Sequence, residues 1–407
     1  MVFRLDRADT DTMKLRKRST QAWEPSRRRR AARPDHGAVV GLDIGATQVS
    51  AVRLRKKGSG YTIAHAAQVP LEPGVVVNGQ VTDPRALARA LRTLWRKGRF
   101  GTRRVCFSLA APSVITRQVD LPWMPEPDFS LALRYQVTDA LPVDLATVEL
   151  GHHTLGDYVR TEGSGQSMEM SRTLLVASPT DAIVDTAECL RRANLVPIAA
   201  DSPAFALIRA ACGGTVSQTG ALAAIVDVGH DTVTVVLHVD GQPRFLRSVA
   251  STGAGSATAT IAERFGLSAA DADELKVRIG LRGPVPVITP LRESGIFGGL
   301  PLAPEADADP RTQAVMTLAS TWAGRVIGEV RNSLDYYLAG HPEESLSEIV
   351  LTGRGALIDG FDSRLQTELR TPVRVISLDD VARGPRRGVR VEHPHSLAIA
   401  AGLAMAS

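Results

Sequence analysis

The sequence is poor in several things, and each shortage excludes a class of function. Aromatic residues are 4% of 407, too few for the stacking platforms of single-strand nucleic-acid binders. Three cysteines, Cys106, Cys189 and Cys212, stand far apart with no CxxC, so neither a disulfide framework nor a cysteine-ligated zinc site is encoded. A reducing compartment is expected. No apolar run approaches the ~20 residues that span a bilayer, and the N-terminus carries charge where a signal peptide would have its apolar core. A cytoplasmic location is expected, with a partner needed to hold the chain at a membrane.

Basic charge is concentrated in one place. Residues 1–34 hold eleven Lys or Arg against Asp6, Asp9, Asp11 and Glu24, more than the net charge of +5 for the whole chain, so the remainder is close to neutral. That segment has no periodicity and little to bury, and reads as a disordered basic tail over 1–36. It fits a solvated leader, with translation starting at Met13, as well as a weak contact with anionic lipid or nucleic acid. Specific nucleic-acid binding is not expected, because the body has no basic stripe.

From residue 37 strands and helices alternate. Val39–Ile44 and Val49–Leu54 read as strands, and Pro84–Lys97 as a helix with Leu87, Leu91 and Leu94 on one face and Thr82 or Asp83 as its cap. The block 116–198 reads as an inserted subdomain: a proline-rich opening, a helix around Phe129–Ala140, strands Thr147–Thr154 and Arg172–Pro179, and a helix Thr180–Ala193. Then AIVDVGHDTVTVV repeats the pattern of VVGLDIGATQVSAVRL 184 residues on, which points to two similar domains rather than a tandem array. Helices at about 255–265, 269–279 and 310–338 follow, and SEIVLTGRGALIDG reads as a strand, a glycine-bounded turn and the start of a helix at Phe361.

The repeated turn has the ingredients of a phosphate cradle. Glycine lets the main chain approach a ligand closely, and Asp43 and Asp227, each two residues before a glycine, supply carboxylates of the kind that hold Mg²⁺, directly or through water. Thr47 and Thr232 add hydroxyls. One such hairpin alone is an ordinary turn, but two copies from duplicated domains, with the Gly353-Arg354-Gly355 turn, outline a nucleotide site between domains.

These motifs resemble the phosphate-1, phosphate-2 and adenosine motifs of the actin-like ATPase superfamily. Within it, GLDIG with NGQVTDP, RQVDLPWMPEPDFSLALRYQVTDALPVDLATVEL, FLRSVASTGAGSATATIAERFG, ADELK, RNSLDYYLAG and LAIAAGLAMA are similar to the type IV pilus assembly protein PilM family over about residues 38–407. The resemblance implies an α/β, two-lobed fold built from duplicated ribonuclease H-like domains, with four subdomains and a nucleotide cleft between the lobes. These would be 37–115 with 199–221 and 385–407 (1A), 116–198 (1C), 222–250 with 330–384 (2A), and 251–329 (2B). It implies ATP and Mg²⁺ as cofactors. Asp43, Gly45, Thr47, Asp227, Gly229 and Thr232 would face the phosphates, and Asp43 and Asp227 the metal. Gly253 and Gly255 would lie near the ribose or phosphates, Asp273 and Lys276 beside the adenine or ribose, and Gly353, Arg354 and Gly355 in the adenosine pocket. Asp201 would orient an attacking water, or serve as a helix N-cap. Asp273 and Lys276 also fit a surface salt bridge.

Two departures from the family pattern stand out. The lysine that commonly follows the first turn is missing from Ala46, Thr47, Gln48 and Ser50, which predicts ATP binding with slow or no hydrolysis. Arg354 interrupts the double glycine of LTGGGA, and is expected to stack over adenine or face solvent rather than fill the pocket. The function implied is a cytoplasmic scaffold of type IV pilus assembly or a related secretion machine. It would dock the N-terminal peptide of an inner-membrane PilN-like partner between the first subdomain and the inserted one, with pilus motor ATPases as further partners. The alternatives are an actin-like filament or cell-division protein, for which no membrane-targeting amphipathic helix ends the chain, and a small-molecule kinase.

Overall fold

The structure, a computed structural model, describes residues 2–4, 37–109, 113–138, 140–161, 167–213, 219–281, 309–382 and 391–406. Val2–Arg4 (β1) lies within the segment expected to be disordered, yet forms a short strand; residues 5–36 fall outside the described residues. Strands β2 (Val40–Ile44), β3 (Gln48–Lys57) and β4 (Gly60–Pro70) follow in antiparallel succession. A clip of β5 (Val76–Val77) and β6 (Gln80–Val81) leads to α1 (Pro84–Gly98). Asp83 caps α1 by accepting from the amides of Arg85 and Ala86, and Leu87, Leu91 and Leu94 are buried. β7 (Arg104–Ser108) then runs parallel to β2.

The inserted block has its own sheet. β8 (Ile115–Pro122), β9 (Val148–Thr161) and β10 (Ser167–Pro179) pair antiparallel in the order β8-β10-β9. Between β8 and β9 runs α2 (Glu126–Gln136), which buries Phe129 and Leu133 against Leu150 and Leu175. α3 (Thr180–Arg192), placed inside the insert by the sequence pattern, buries Ile183, Ala187 and Leu190 in the core of the first lobe with α1. β11 (Val196–Asp201) returns parallel to β7, β1 pairs antiparallel with β11, and α4 (Pro203–Ala211) leads out. The first sheet therefore reads β1-β11-β7-β2-β3-β4.

The second lobe repeats this plan. β12 (Leu222–Val228), β13 (Thr232–Val239) and β14 (Gln242–Ala250) are antiparallel neighbours, followed by α5 (Ala254–Phe265), α6 (Ala269–Ile279) and the long α7 (Pro310–Ala339). β15 (Leu346–Thr352), α8 (Phe361–Leu369), β16 (Val373–Val375) and α9 (Leu378–Val381) complete it, and α10 (Ala398–Ala404) crosses back to the first lobe. Its order, β14-β13-β12-β15-β16, has the same strand directions as β4-β3-β2-β7-β11. The duplication read from two hairpins thus extends over five strands.

α4 and α10 join the lobes. Phe205, Leu207, Ala400 and Ala401 share one buried cluster with Val52 and Ile63 of the first sheet and Ile225, Val236 and Val350 of the second. Their close approach requires Gly402, where an added Cβ would lie 1.9 Å from the Ala206 carbonyl oxygen. Among the described residues, no helix is long and apolar enough to cross a membrane.

Candidate functional site

The turns of the two duplicated hairpins line one cleft, about 140 Å³ in open volume. Asp43, Gly45 and Thr47 come from the first lobe, Asp227, Gly229 and Thr232 from the second, and Gly353 and Arg354 from the turn after β15. The turns are built alike: the Gly45 amide donates to the Gln48 carbonyl at 3.0 Å, and the Gly229 amide to the Thr232 carbonyl at 2.9 Å. Each short turn brings its aspartate to the cleft floor and keeps a Cβ away from the opening.

Both aspartates are hard to ionise there. Burial pushes Asp43 up to about 6, held in check by hydrogen bonds from the Ser108 hydroxyl and the Ile44 amide. Asp227 rises to about 7 through burial and the charge of Asp43, with no compensating donor among the described residues. Two carboxylates that repel each other, one of them without a donor among the described residues, suit a divalent cation, which would satisfy both and restore their ionised forms.

The third turn is fixed by its glycines. Gly353 has φ 87°, and a Cβ there would lie 2.6 Å from Asp227 Oδ1; a Cβ at Gly355 would meet Val228 at 2.3 Å. Arg354, between them, lines the cleft with its side chain 17% exposed, and the Asp273 carboxylate beside it holds it in an ion pair. The surface salt bridge expected of Asp273 and Lys276 is a buried one. Lys276 is 1% exposed, and its Nζ donates to Ala254 O (2.8 Å), Thr258 Oγ1 (2.6 Å) and Asp273 Oδ1 (2.7 Å). Burial favours the neutral acid, but the charges of Lys276 and Arg354 outweigh it and hold Asp273 at about 2. The network ties α5, α6 and the 354–357 turn together.

Several expected site residues stand back from the opening. Asp273, Lys276 and Gly355 lie behind Arg354, outside the cleft lining. Gly253 and Gly255 are covered by His230: a Cβ on Gly255 would lie 2.4 Å from its Nε2, and the Gly255 amide donates to the His230 carbonyl. Asp201 neither lines the cleft nor caps α4, whose N-cap is Ser202; fully buried, it pairs with Arg209. Gln48, Ser108, His230, His395 and Ser396 line the cleft but were not singled out in the sequence. Ser108 carried a signal, a hydroxyl closing a buried strand. His395 and Ser396 carried none, since 348 residues separate Ser396 from Gln48, which donates to its hydroxyl at 2.8 Å.

The model of the type IV pilus assembly protein PilM family matches residues 41–285 and 315–407. In structure the chain is similar to one in a PilM-PilN type IV pilus biogenesis complex, at 22% identity and a TM-score of 0.72, covering 90% of this chain and 98% of that one. It is also similar to the ethanolamine utilization protein EutJ from Carboxydothermus hydrogenoformans, at 14% identity and a TM-score of 0.50, over 90% and 88% of the two chains. With an actin-like, two-lobed fold and a family match over most of its length, the chain belongs to the type IV pilus assembly protein PilM family.

Proposed function

We propose that this chain is an ATP-binding scaffold of type IV pilus assembly, docking the cytoplasmic tail of a PilN-like inner-membrane partner and held at the membrane by it. The observation that carries the nucleotide half is the pair of aspartates, Asp43 and Asp227, on matching hairpins of two lobes at the floor of one cleft. They would hold Mg²⁺, which supplies charge neutralisation for a polyphosphate. Thr47 and Thr232 offer hydroxyls, and the glycines admit the backbone to the phosphates.

Hydrolysis would be slow or absent. Among the described cleft-lining residues Arg354 is the one permanent cation, and Asp273 holds it; Asp201, the candidate to orient water, is bound to Arg209 instead. Among the described cleft-lining residues no permanently charged side chain is then free to neutralise charge developing on a transferred phosphoryl group. The docking half rests on family membership and on an insert that touches the second lobe, through Thr116 Oγ1 to Leu246 O (3.1 Å) and His153 Nε2 to Gln242 Oε1 (3.0 Å). Lobe closure would therefore move the insert and any peptide beside it. Calorimetry with Mg²⁺-ATP tests the first half: binding abolished in Asp227→Ala is expected, and equal binding by both proteins overturns it. A pull-down with the cognate PilN-like tail peptide tests the second, and no capture with or without ATP overturns that.

A further inference from the structure

The cleft is small for what it would hold. Its open volume, about 140 Å³, is below the ~300–1,000 Å³ of small-molecule sites, so a side chain that withdraws at one end would make room for a nucleoside. The floor, with Asp43 and Asp227, is set by backbone turns, each held within its own lobe. At the other end His230 and Arg354 line the cleft, and Arg354 stands between the open volume and the Asp273–Lys276 pair behind it.

Gly353 packs on Asp227 and Val228, and Gly355 on Val228, so the turn is closely held and rotation of the Arg354 side chain is the local change that clears space at this end. The carboxylate that holds it is otherwise fully engaged: Asp273 Oδ1 accepts from Thr258 Oγ1 (3.0 Å) and Lys276 Nζ (2.7 Å), and Oδ2 from Arg354 Nη2. Of the two cations on Asp273, Lys276 is 1% exposed and fixed by two further acceptors, whereas the Arg354 side chain is 17% exposed and borders the cleft. Arg354 is the exchangeable partner.

Building on the nucleotide reading above, we infer that Arg354 is a built-in gate: paired with Asp273 it closes the nucleoside end of the cleft, and a nucleotide enters by displacing it. Displacement frees one oxygen of Asp273 to accept from a hydroxyl-bearing ligand. The phosphate end, set by the two hairpins, is not gated. Apparent affinity for a nucleotide is then reduced by the fraction of molecules with the gate shut, while affinity for a bare polyphosphate is not.

The test is calorimetry of Mg²⁺-ATP and of Mg²⁺-tripolyphosphate on the full chain and on Arg354→Ala, with thermal unfolding to show that each protein is folded. Arg354→Gln, similar in length and uncharged, replaces the alanine variant if that fails to fold. ATP should bind the variant about tenfold tighter or more, and tripolyphosphate no tighter than the wild type. ATP binding that is unchanged or weaker in the variant overturns the gate and leaves the nucleotide reading standing. Equal tightening of both ligands overturns it too, because the effect is then not at the nucleoside end. No ATP bound by any of the folded proteins overturns the nucleotide reading and the gate together.

Discussion

The two lobes share a five-strand plan and end their central hairpins on the same residue type, yet the two aspartates are served differently. Asp43 lies beside Ser108, the last residue of β7, whose hydroxyl donates to Asp43 Oδ1 at 2.8 Å. Asp227 is in register with Thr352, the last residue of β15, but that hydroxyl donates to the His395 carbonyl at 2.7 Å. The Gly353 amide donates to the same carbonyl. The segment they hold is fastened to the first lobe by Gln68, which donates to Ser396 Oγ at 2.8 Å and accepts from the His393 amide at 3.2 Å. The second lobe has thus diverted its donor to strap the lobes together, and Asp227 titrates at about 7 where Asp43 titrates at about 6. Duplicated domains keep the strand plan while hydrogen bonds at equivalent positions diverge.

The lobes also differ in their buried ion pairs, and breaking these gives the largest effect. In the first lobe Asp201 is 0% exposed and lies off the cleft, so Arg209→Ala should cost about 3–5 kcal/mol, seen as a fall in thermal midpoint with ATP binding unchanged. In the second lobe Arg354→Ala should do the reverse, changing ligand affinity more than stability, because Asp273 retains Lys276. A large loss of stability in Arg354→Ala would erase the contrast.

Next come the aspartates. A carboxyl whose folded pKa is raised binds a proton in the folded state that it has lost in the unfolded one, so stability falls as pH rises from about 3.8 to about 7 for Asp227. Asp227→Asn removes that fall: the variant should be ~3–4 kcal/mol more stable than wild type at pH 8 and equal to it near pH 3, by urea unfolding at both pH values. Asp43→Asn should gain ~2–3 kcal/mol over a window ending near pH 6. Gains of the opposite order would break the comparison of the two sites. The smallest effect sharpens it: Ser108→Ala should move the Asp43 transition towards that of Asp227, by ~1 kcal/mol. Thr352→Val should leave the Asp227 transition in place, since that hydroxyl serves His395.

How much of this was legible in the sequence depends on how local the cause is. α1 was visible because Leu87, Leu91 and Leu94 recur at helical spacing behind the cap residue Asp83, and α8 because glycine bounds it at Gly360. Both hairpins were visible as alternating strands around a DxG turn. β4 was not, because Gly60–Pro70 interleaves small and polar residues, and β11 was not, because six residues preceding a helix give too little periodicity to register. The insert was visible, but α3 was assigned to it by sequence order, while its apolar face selects α1.

By itself the sequence determined most of the helices, the two central hairpins with their Asp–Gly turns, the duplication and the family, because these are set by residue spacing within a few turns of chain. Only the tertiary structure decided the partners of Asp201 and Arg354. Asp201 lies at the end of a strand like any cap or catalytic acid, and becomes a structural anchor because α4 turns Arg209 back onto it. Asp273 and Arg354, 81 residues apart, become partners because α6 and the turn after β15 converge behind the cleft. Charge pairing depends on distance in space; the i, i+3 spacing of Asp273 and Lys276 encodes it locally, but no local pattern encodes it for Asp201–Arg209 or Asp273–Arg354.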